Sequence, residues 1–189
     1  MENASKALIM AAEILIGVMV ISIAVYMFQN FAGYSEETYK QMEQAQIEEF
    51  NSQFTKFYGS RTVTVNGRDT LIPIKCTIHE IVGLANLAQK NNKQYEVEGD
   101  SGGRPNSFYV QVDIAGIGSN IEKKSNDELT KYIKDNSLHM NGSSTEPKYY
   151  KCIEYKIDSA AEGTKRVYYV NFKELTDREY LQIRQFEES

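Results

Sequence analysis

The hydrophobic positions of the chain are concentrated in one uninterrupted run near the N-terminus. Residues 7–28 read ALIMAAEILIGVMVISIAVYMF, which is 22 residues with a single charged side chain, Glu13. A helix of that length rises about 33 Å, which matches the apolar core of a bilayer. A core helix of a soluble protein normally carries a polar face, and this run has none. The pattern predicts a transmembrane helix, with residues 1–33 as the membrane anchor.

A cleaved secretory signal is the alternative interpretation of this run. A signal has a short apolar region followed by small residues at a cleavage site, whereas this run is long and continues into Tyr26, Met27 and Phe28. We therefore expect an uncleaved anchor. Lys6 precedes the run, and the acidic residues Glu36 and Glu37 are the first charges after it. Because basic residues stay on the cytoplasmic side, we expect a cytoplasmic N-terminus and an extracytoplasmic domain after the span.

Residues 34–58 change to the spacing of an amphipathic helix. Polar residues fill one side, and six apolar residues form a stripe on the other: Tyr39, Met42, Ile47, Phe50, Phe54 and Phe57. No proline interrupts residues 7–58, so the sequence predicts one long helix that leaves the membrane and ends near Gly59. Two interpretations of the stripe are open, a partner-binding face or core against the chain's own sheet, and core is favoured.

Residues 59–189 have the pattern of an extracytoplasmic α+β head domain. Alternation predicts strands in five stretches: RTVTVNGRDTLIPI, with the hairpin turn Asn66-Gly67 at its centre, QYEVEG, SFYVQVDI, YYKCIEYKID and RVYYVNF. Capping-box spacing predicts two helix starts, at Thr77-Glu80 and Ser125-Glu128, and Thr176-Glu179 opens a last amphipathic helix. The stretch HMNGSSTEP reads as a polar loop. Short turns predict a mainly antiparallel sheet, with two or three helices packed on one face.

Composition and charge narrow the possible functions. The formal net charge is −5, with 21 basic and 26 acidic residues and no basic cluster, so we expect no nucleic-acid partner. No nucleotide-binding loop or paired-carboxylate signature is present, and we expect a non-enzymatic protein without a cofactor. His79, His139, Cys76 and Cys152 lack the CxxC or HxxxH spacing of metal sites, so we expect no metal.

One stretch spells a catalytic motif. Asp100-Ser101-Gly102-Gly103 matches the residues around the nucleophile of chymotrypsin-like serine proteases. Such a serine needs a histidine base and an orienting carboxylate, and the only histidine before it is His79, at a predicted helix start. Turn-forming residues dominate the stretch, which lies between two predicted strands. We interpret Ser101 as a loop residue, and an enzyme is the least favoured hypothesis.

The two cysteines have two interpretations. Cys76 and Cys152 lie on or beside predicted strands and could form a disulfide, which would stabilise the head by about 3–4 kcal/mol through its long loop. Alternatively, they are free thiols buried as small apolar residues, which is slightly favoured. Asn141-Gly142-Ser143 likewise fits both a glycosylation sequon and a flexible turn.

Glu13 is the unusual residue of the apolar run, because it lies about 9 Å inside the segment at roughly 1.5 Å per residue. An ionisable side chain at such a depth is costly and is a functional candidate. Its carboxylate either reaches the interface or is protonated, or it pairs with a neighbouring helix or a terminal amine. Both interpretations remain open at this point.

The first 58 residues resemble the N-terminal helix of type IV pilins and pseudopilins. The shared features are a short basic leader containing Lys6, an apolar segment with one glutamate near its start, and an amphipathic continuation into an α/β head. In that family the glutamate follows the processing site and neutralises the N-terminal amine of a neighbouring subunit. Here the corresponding processing point is Ala7-Leu8, which would make Glu13 the sixth mature residue. The resemblance implies assembly into a surface filament or secretion complex.

Two function hypotheses follow. The first is a pilin-like structural subunit, anchored in the bilayer and assembling through its helix with copies of itself or with other membrane helices. The second is a single-pass protein whose tethered head binds a ligand or a protein partner at the cell surface.

Overall fold

The computed structural model describes residues 2–65, 67–100, 102–141, 144–160 and 163–187. These residues form four α-helices: α1 (Glu2–Thr55), α2 (Ile78–Gln94), α3 (Asn126–Asn136) and α4 (Asp177–Glu187). They also form eight strands: β1 (Ser60–Val65), β2 (Arg68–Pro73), β3 (Cys76–Thr77), β4 (Gln111–Ile114), β5 (Leu138–Asn141), β6 (Ser144–Pro147), β7 (Tyr149–Ile157) and β8 (Val167–Glu174). A short 3₁₀ helix spans Ile121–Lys123. The predicted α+β class is confirmed.

The chain divides into two compact units, Met1–Gln46 and Ile47–Ser189. Most of the first unit is the long helix α1, which has 54 residues in all. The segment Glu2–Gln29 is long and apolar enough to cross a membrane by length and composition. Its large apolar side chains between Leu8 and Phe28 are 50% to 75% exposed.

The last turns of α1 belong to the second unit and contribute to its core. Phe54 and Phe57 are buried and Phe50 is half-buried against the same cluster, so the core interpretation of the aromatic stripe is confirmed for these residues. Met42, by contrast, is exposed. The side chain of Tyr39 lies outside the described part of the chain.

The central sheet of the head has four strands in the order β3-β7-β8-β4. The pairs β3–β7 and β7–β8 are antiparallel and β4–β8 is parallel, so this sheet is mixed, with two of its three pairs antiparallel. One face is buried together with the apolar side of α2. The core cluster includes Ile81 and Ala85 of α2 with Val112, Val170 and Phe172 of the sheet.

Local sequence signals explain several of these elements. Both predicted capping boxes form, since the hydroxyls of Thr77 and Ser125 accept from the N–H groups of Glu80 and Glu128, whose carboxylates bond back. The hairpin β1–β2 pairs through Val65 and Arg68, and Gly67 has φ +73° as the turn requires. Asn66 lies outside the described residues. A second cluster packs α4 on β2 through Ile72, Leu175, Tyr180 and Ile183.

Three predicted segments differ in the structure. QYEVEG is not a strand: α2 continues to Gln94, and turns follow it. In SFYVQVDI only β4 is a strand, because the side chain of Asn92 bonds both the N–H and the C=O of Val110 (2.8 and 3.0 Å) in place of a neighbouring strand. HMNGSSTEP, predicted as a loop, contributes to the hairpin β5–β6. Asn141 ends β5, while Gly142 and Ser143 lie outside the described residues.

Candidate functional site

Glu13 lies on the exposed apolar segment of α1. Within the described part of the chain its carboxylate has neither a hydrogen bond nor an ion pair, whereas Lys6 pairs with Glu2 at 3.1 Å on the preceding turns. The candidate processing residues Ala7 and Leu8 are helical, and Leu8 is exposed. Glu13 is thus a lone carboxylate among apolar side chains that are themselves uncovered.

The loop that contains the protease-like stretch is fixed by hydrogen bonds to neighbouring segments of the head. Ser101 lies outside the described residues, but Asp100 accepts from the hydroxyl of Ser107 (2.9 Å), and its C=O accepts from Lys123 (2.8 Å). Neither histidine is a partner of this loop in the described structure. His79 is exposed on the first turn of α2, and His139 contacts Glu174.

Gly102 and Gly103 are required by the close approach of this loop to the sheet. A Cβ at Gly103 would lie 1.9 Å from the carbonyl oxygen of Tyr168, which is backbone and cannot move aside. Gly102 has φ +149°, and its Cβ would lie 2.6 Å from Oε1 of Gln111. The same Gln111 oxygen accepts from the N–H of Gly103 (2.9 Å). The glycines therefore have a packing role, and this supports the loop interpretation of the motif.

Gly103→Ala is expected to lower the free energy of unfolding by about 1–3 kcal/mol, as overpacking of a filled site does. Gly99→Ala is the matched control, because a Cβ at Gly99 meets nothing within 4 Å. We expect the control to change stability by no more than about 0.5 kcal/mol. Urea unfolding of the detergent-solubilised full chain measures both. Equal stability of the two variants would contradict the close approach.

Cys76 and Cys152 are free thiols buried in the head core. Cys76 on β3 lies opposite Tyr150 on β7, two residues from Cys152, and donates to the carbonyl of Tyr150 (3.4 Å). Burial raises the pKa of Cys152 to about 11 and that of Cys76 well above its usual range. The thiolate is the reactive form, so burial disfavours the chemistry of both side chains.

We expect both thiols to resist alkylation in the folded protein at pH 8 and to react after unfolding. A raised pKa leaves less thiolate at that pH, and burial blocks access of the reagent. Counting iodoacetamide adducts by mass spectrometry, with and without urea and without a reductant, checks this. Two adducts in urea indicate free thiols, whereas none in urea would demonstrate the alternative disulfide.

A buried carboxylate that the sequence did not reveal lies at the edge of the sheet. Glu122 is 2% exposed and accepts from the hydroxyl of Tyr109 (2.6 Å) and from the N–H of Val112 on β4 (2.9 Å). Burial raises the pKa of Glu122, and burial together with this carboxylate raises the pKa of Tyr109. Glu122 occupies the hydrogen-bonding position that another strand would take, and so closes the open edge of β4.

Glu122 and Tyr109 also border a half-open cleft of about 270 Å³ between α2 and the 3₁₀ helix. Seven residues line it: Gln89, Asn92, Lys93, Glu98, Tyr109, Glu122 and Lys123. Asn92 and Glu122 are already bonded to the backbone of the segment before and within β4. The side chains left to meet a solute are therefore exposed ones, chiefly Lys93 and Glu98.

Two further polar clusters fasten elements of the head together. The ring of His139 on β5 contacts Glu174 of β8 (2.9 Å) and stacks on Tyr180 of α4, which joins the hairpin β5–β6 to the core. Arg166 donates to Tyr95 (2.7 Å) and Asn91 (2.8 Å). Within the described ranges, no group of three or more His, Cys, Asp or Glu side chains is placed to hold a metal ion.

Arg166 also positions the end of α1. Its guanidinium lies 4.0 Å from the ring centre of Phe50, a cation–π contact. Beside it, the amide of Asn51 donates to the carbonyl of Lys165 (2.9 Å) and accepts from the N–H of Val167 (2.8 Å). The last turns of α1 are thus bonded to the start of β8, a connection that the sequence pattern did not indicate.

Comparison of the chain with protein-family models, curated proteins and solved structures yields no match. Function is therefore inferred from the residues themselves. The clusters around Glu122, His139 and Arg166 each connect one element of the head to another. Glu13 has no such local role in the described structure, and its position on an exposed apolar helix makes it the candidate functional residue.

Proposed function

We propose that the protein is a single-pass, membrane-anchored and non-enzymatic subunit that assembles through α1, in the manner of pilins and pseudopilins. The observation that carries the proposal is the exposed apolar segment Glu2–Gln29, in which Glu13 is the only charged residue after Lys6. Soluble monomers rarely expose apolar patches of this extent, so the segment needs a lipid or protein environment. A carboxylate at that depth needs a partner, and another membrane helix can supply one.

The continuity of α1 supports the same proposal. The helix runs unbroken from Glu2 to Thr55, through the apolar segment and into the core of the head at Phe54. This order of an apolar segment, a glutamate near its start, an amphipathic continuation and an α+β head is the order that the pilin resemblance implies. The polar clusters of the head have structural roles, which is consistent with a non-enzymatic subunit.

Protease accessibility tests the proposed topology. A protease added to intact cells or spheroplasts is expected to digest residues 59–189, because Lys6 precedes the span and Glu36 and Glu37 follow it. A cytoplasmic marker protein should survive the same treatment and be digested only after detergent is added. Protection of the head until the membrane is dissolved would show that the orientation is the opposite one.

A membrane-tethered binding module is the second candidate. The cleft of about 270 Å³ between α2 and the 3₁₀ helix favours it, since the exposed Lys93 and Glu98 at its border can meet the polar groups of a small ligand. The two candidates differ in self-association. A tethered module stays monomeric in the membrane, whereas a pilin-like subunit forms assemblies through α1.

A further inference from the structure

The charges of the N-terminal segment form a simple pattern. Between Glu2 and Glu36 the chain has only two charged residues, Lys6 and Glu13, and they have opposite signs. Both lie on the exposed surface of α1. Lys6 pairs with Glu2 at 3.1 Å, but both side chains are largely exposed, so this pair is weak and leaves the ammonium group accessible to another carboxylate.

The spacing of the two residues places them on one face of the helix. α1 is unbroken over this region, and seven residues are two turns of an α-helix with a drift of only about 20°. At about 1.5 Å per residue the two positions are separated by roughly 10.5 Å along the axis. Val20 and Met27 continue the face at the same interval, and both are exposed.

We propose that parallel copies of α1 pack with an offset of seven residues, so that Glu13 of one copy lies beside Lys6 of the next. An in-register pair would place like charges together at both positions, whereas the offset of seven brings opposite charges together. In the same register Val20 of the first copy lies beside Glu13 of the next, and Met27 of the first copy lies beside Val20 of the next, so the contact continues with one mixed pair and one apolar pair. This arrangement rests on the proposed function, because it needs α1 to assemble with copies of itself.

The pairing has a consequence for processing of the chain. Cleavage between Ala7 and Leu8 would remove Lys6, so the proposed partner of Glu13 exists only while residues 1–7 stay attached. The side chain of Lys6 then supplies the cation within the membrane, and the helix needs no newly formed terminal amine. N-terminal sequencing of assembled protein should therefore find no chain that begins at Leu8, and assemblies that begin there would overturn the pairing.

Cysteine crosslinking, in which a disulfide forms between two differently tagged full-length copies, tests the offset in native membranes. Val20→Cys in one copy and Met27→Cys in the other should crosslink about tenfold more than Val20→Cys with itself, since an in-register pair would lie roughly 10.5 Å out of line. Leu8→Cys with Leu15→Cys is the matched control, with the same spacing on the opposite face, and should give little product. The wild-type chain measures the background from the buried Cys76 and Cys152.

Charge reversal tests the Lys6–Glu13 pair itself, with the 20–27 crosslink as the readout. Lys6→Glu or Glu13→Lys alone should reduce that product about tenfold, the factor that corresponds to 1.4 kcal/mol. The double reversal Lys6→Glu with Glu13→Lys should restore it, because the opposite charges meet again. If the in-register crosslink dominated, or if the double reversal did not restore the 20–27 crosslink, the offset would be overturned although the helix still assembles. A wild-type chain that stays monomeric would instead refute the proposed function.

Discussion

Phe54→Ala is expected to lower the free energy of unfolding of the head by about 3–5 kcal/mol, the usual cost of emptying a buried aromatic site. Phe54 is 0% exposed and lies in the last turn of α1. Its ring packs against that of Phe50 at 5.1 Å between centres and belongs to the same core cluster as Val170 and Phe172 of the sheet. Removal of the ring leaves a cavity that rigid strands cannot fill.

Met42→Ala is the control, since Met42 lies on the same predicted apolar stripe but is 53% exposed. We expect it to change stability by no more than about 0.5 kcal/mol, as exposed substitutions do. Chemical denaturation of the detergent-solubilised full chain, followed by near-ultraviolet circular dichroism of its tyrosines, gives both values. If Phe54→Ala were as stable as Met42→Ala, the end of α1 would not be part of the head core.

The elements that were predictable from sequence are those fixed by neighbours along the chain. The Asn-Gly letters predict the two-residue connection between Val65 and Arg68, and the capping boxes at Thr77 and Ser125 set the starts of α2 and α3. The length of α1 followed from its composition and from the absence of proline. Each of these signals acts over a few residues, so no knowledge of the tertiary fold was needed.

The elements that the sequence did not predict depend on contacts between distant segments. The sequence before β4 has the alternation of a strand. Its hydrogen-bond partner at Val110, however, is the side chain of Asn92 on α2 and not a neighbouring strand. Glu122 stands before two lysines and looks like a surface residue, yet it is buried against Tyr109 and β4. The parallel pairing of β4 with β8 joins segments more than fifty residues apart, which no local turn signal encodes.

The residues singled out in the candidate site also differ in whether the sequence alone could identify them. Glu13 was identifiable from sequence, because a single carboxylate in a long apolar run stands out without any tertiary information. The roles of Gly103 and Arg166 were not identifiable, since they depend on the carbonyl of Tyr168 and on the ring of Phe50. The protease-like stretch around Ser101 is the opposite case, in which the sequence suggests a site that the letters alone do not establish. A serine in this motif is catalytic only when a histidine base and a carboxylate lie beside it.

Glu13→Ala is expected to reduce assembly of the protein in membranes about tenfold or more. A charge pair removed from water loses far more than a surface pair when one partner is deleted. Insertion of the helix should be unchanged or improved, since the substitution removes the only acidic group of the apolar run. Glu13→Gln keeps the size and the hydrogen-bonding capacity but not the charge, and it should be defective too if the partner is a cation.

The control for these variants is Ile14→Ala, which truncates an exposed apolar side chain next to Glu13 without changing charge. It should insert and assemble nearly as the wild type does. Carbonate extraction of the membranes checks insertion of every variant, so that a loss of assembly is not confused with a loss of the anchor.

The most direct measurement is therefore the size distribution of the full-length protein after chemical crosslinking in native membranes, compared among wild type, Glu13→Ala, Glu13→Gln and Ile14→Ala. The proposed function predicts multimers for wild type and Ile14→Ala and mostly monomer for both Glu13 variants, with all four chains inserted. Multimers of equal size and amount in all four would mean that Glu13 only reaches the membrane surface. A wild-type chain that remains monomeric would contradict assembly through α1 and favour the tethered binding module.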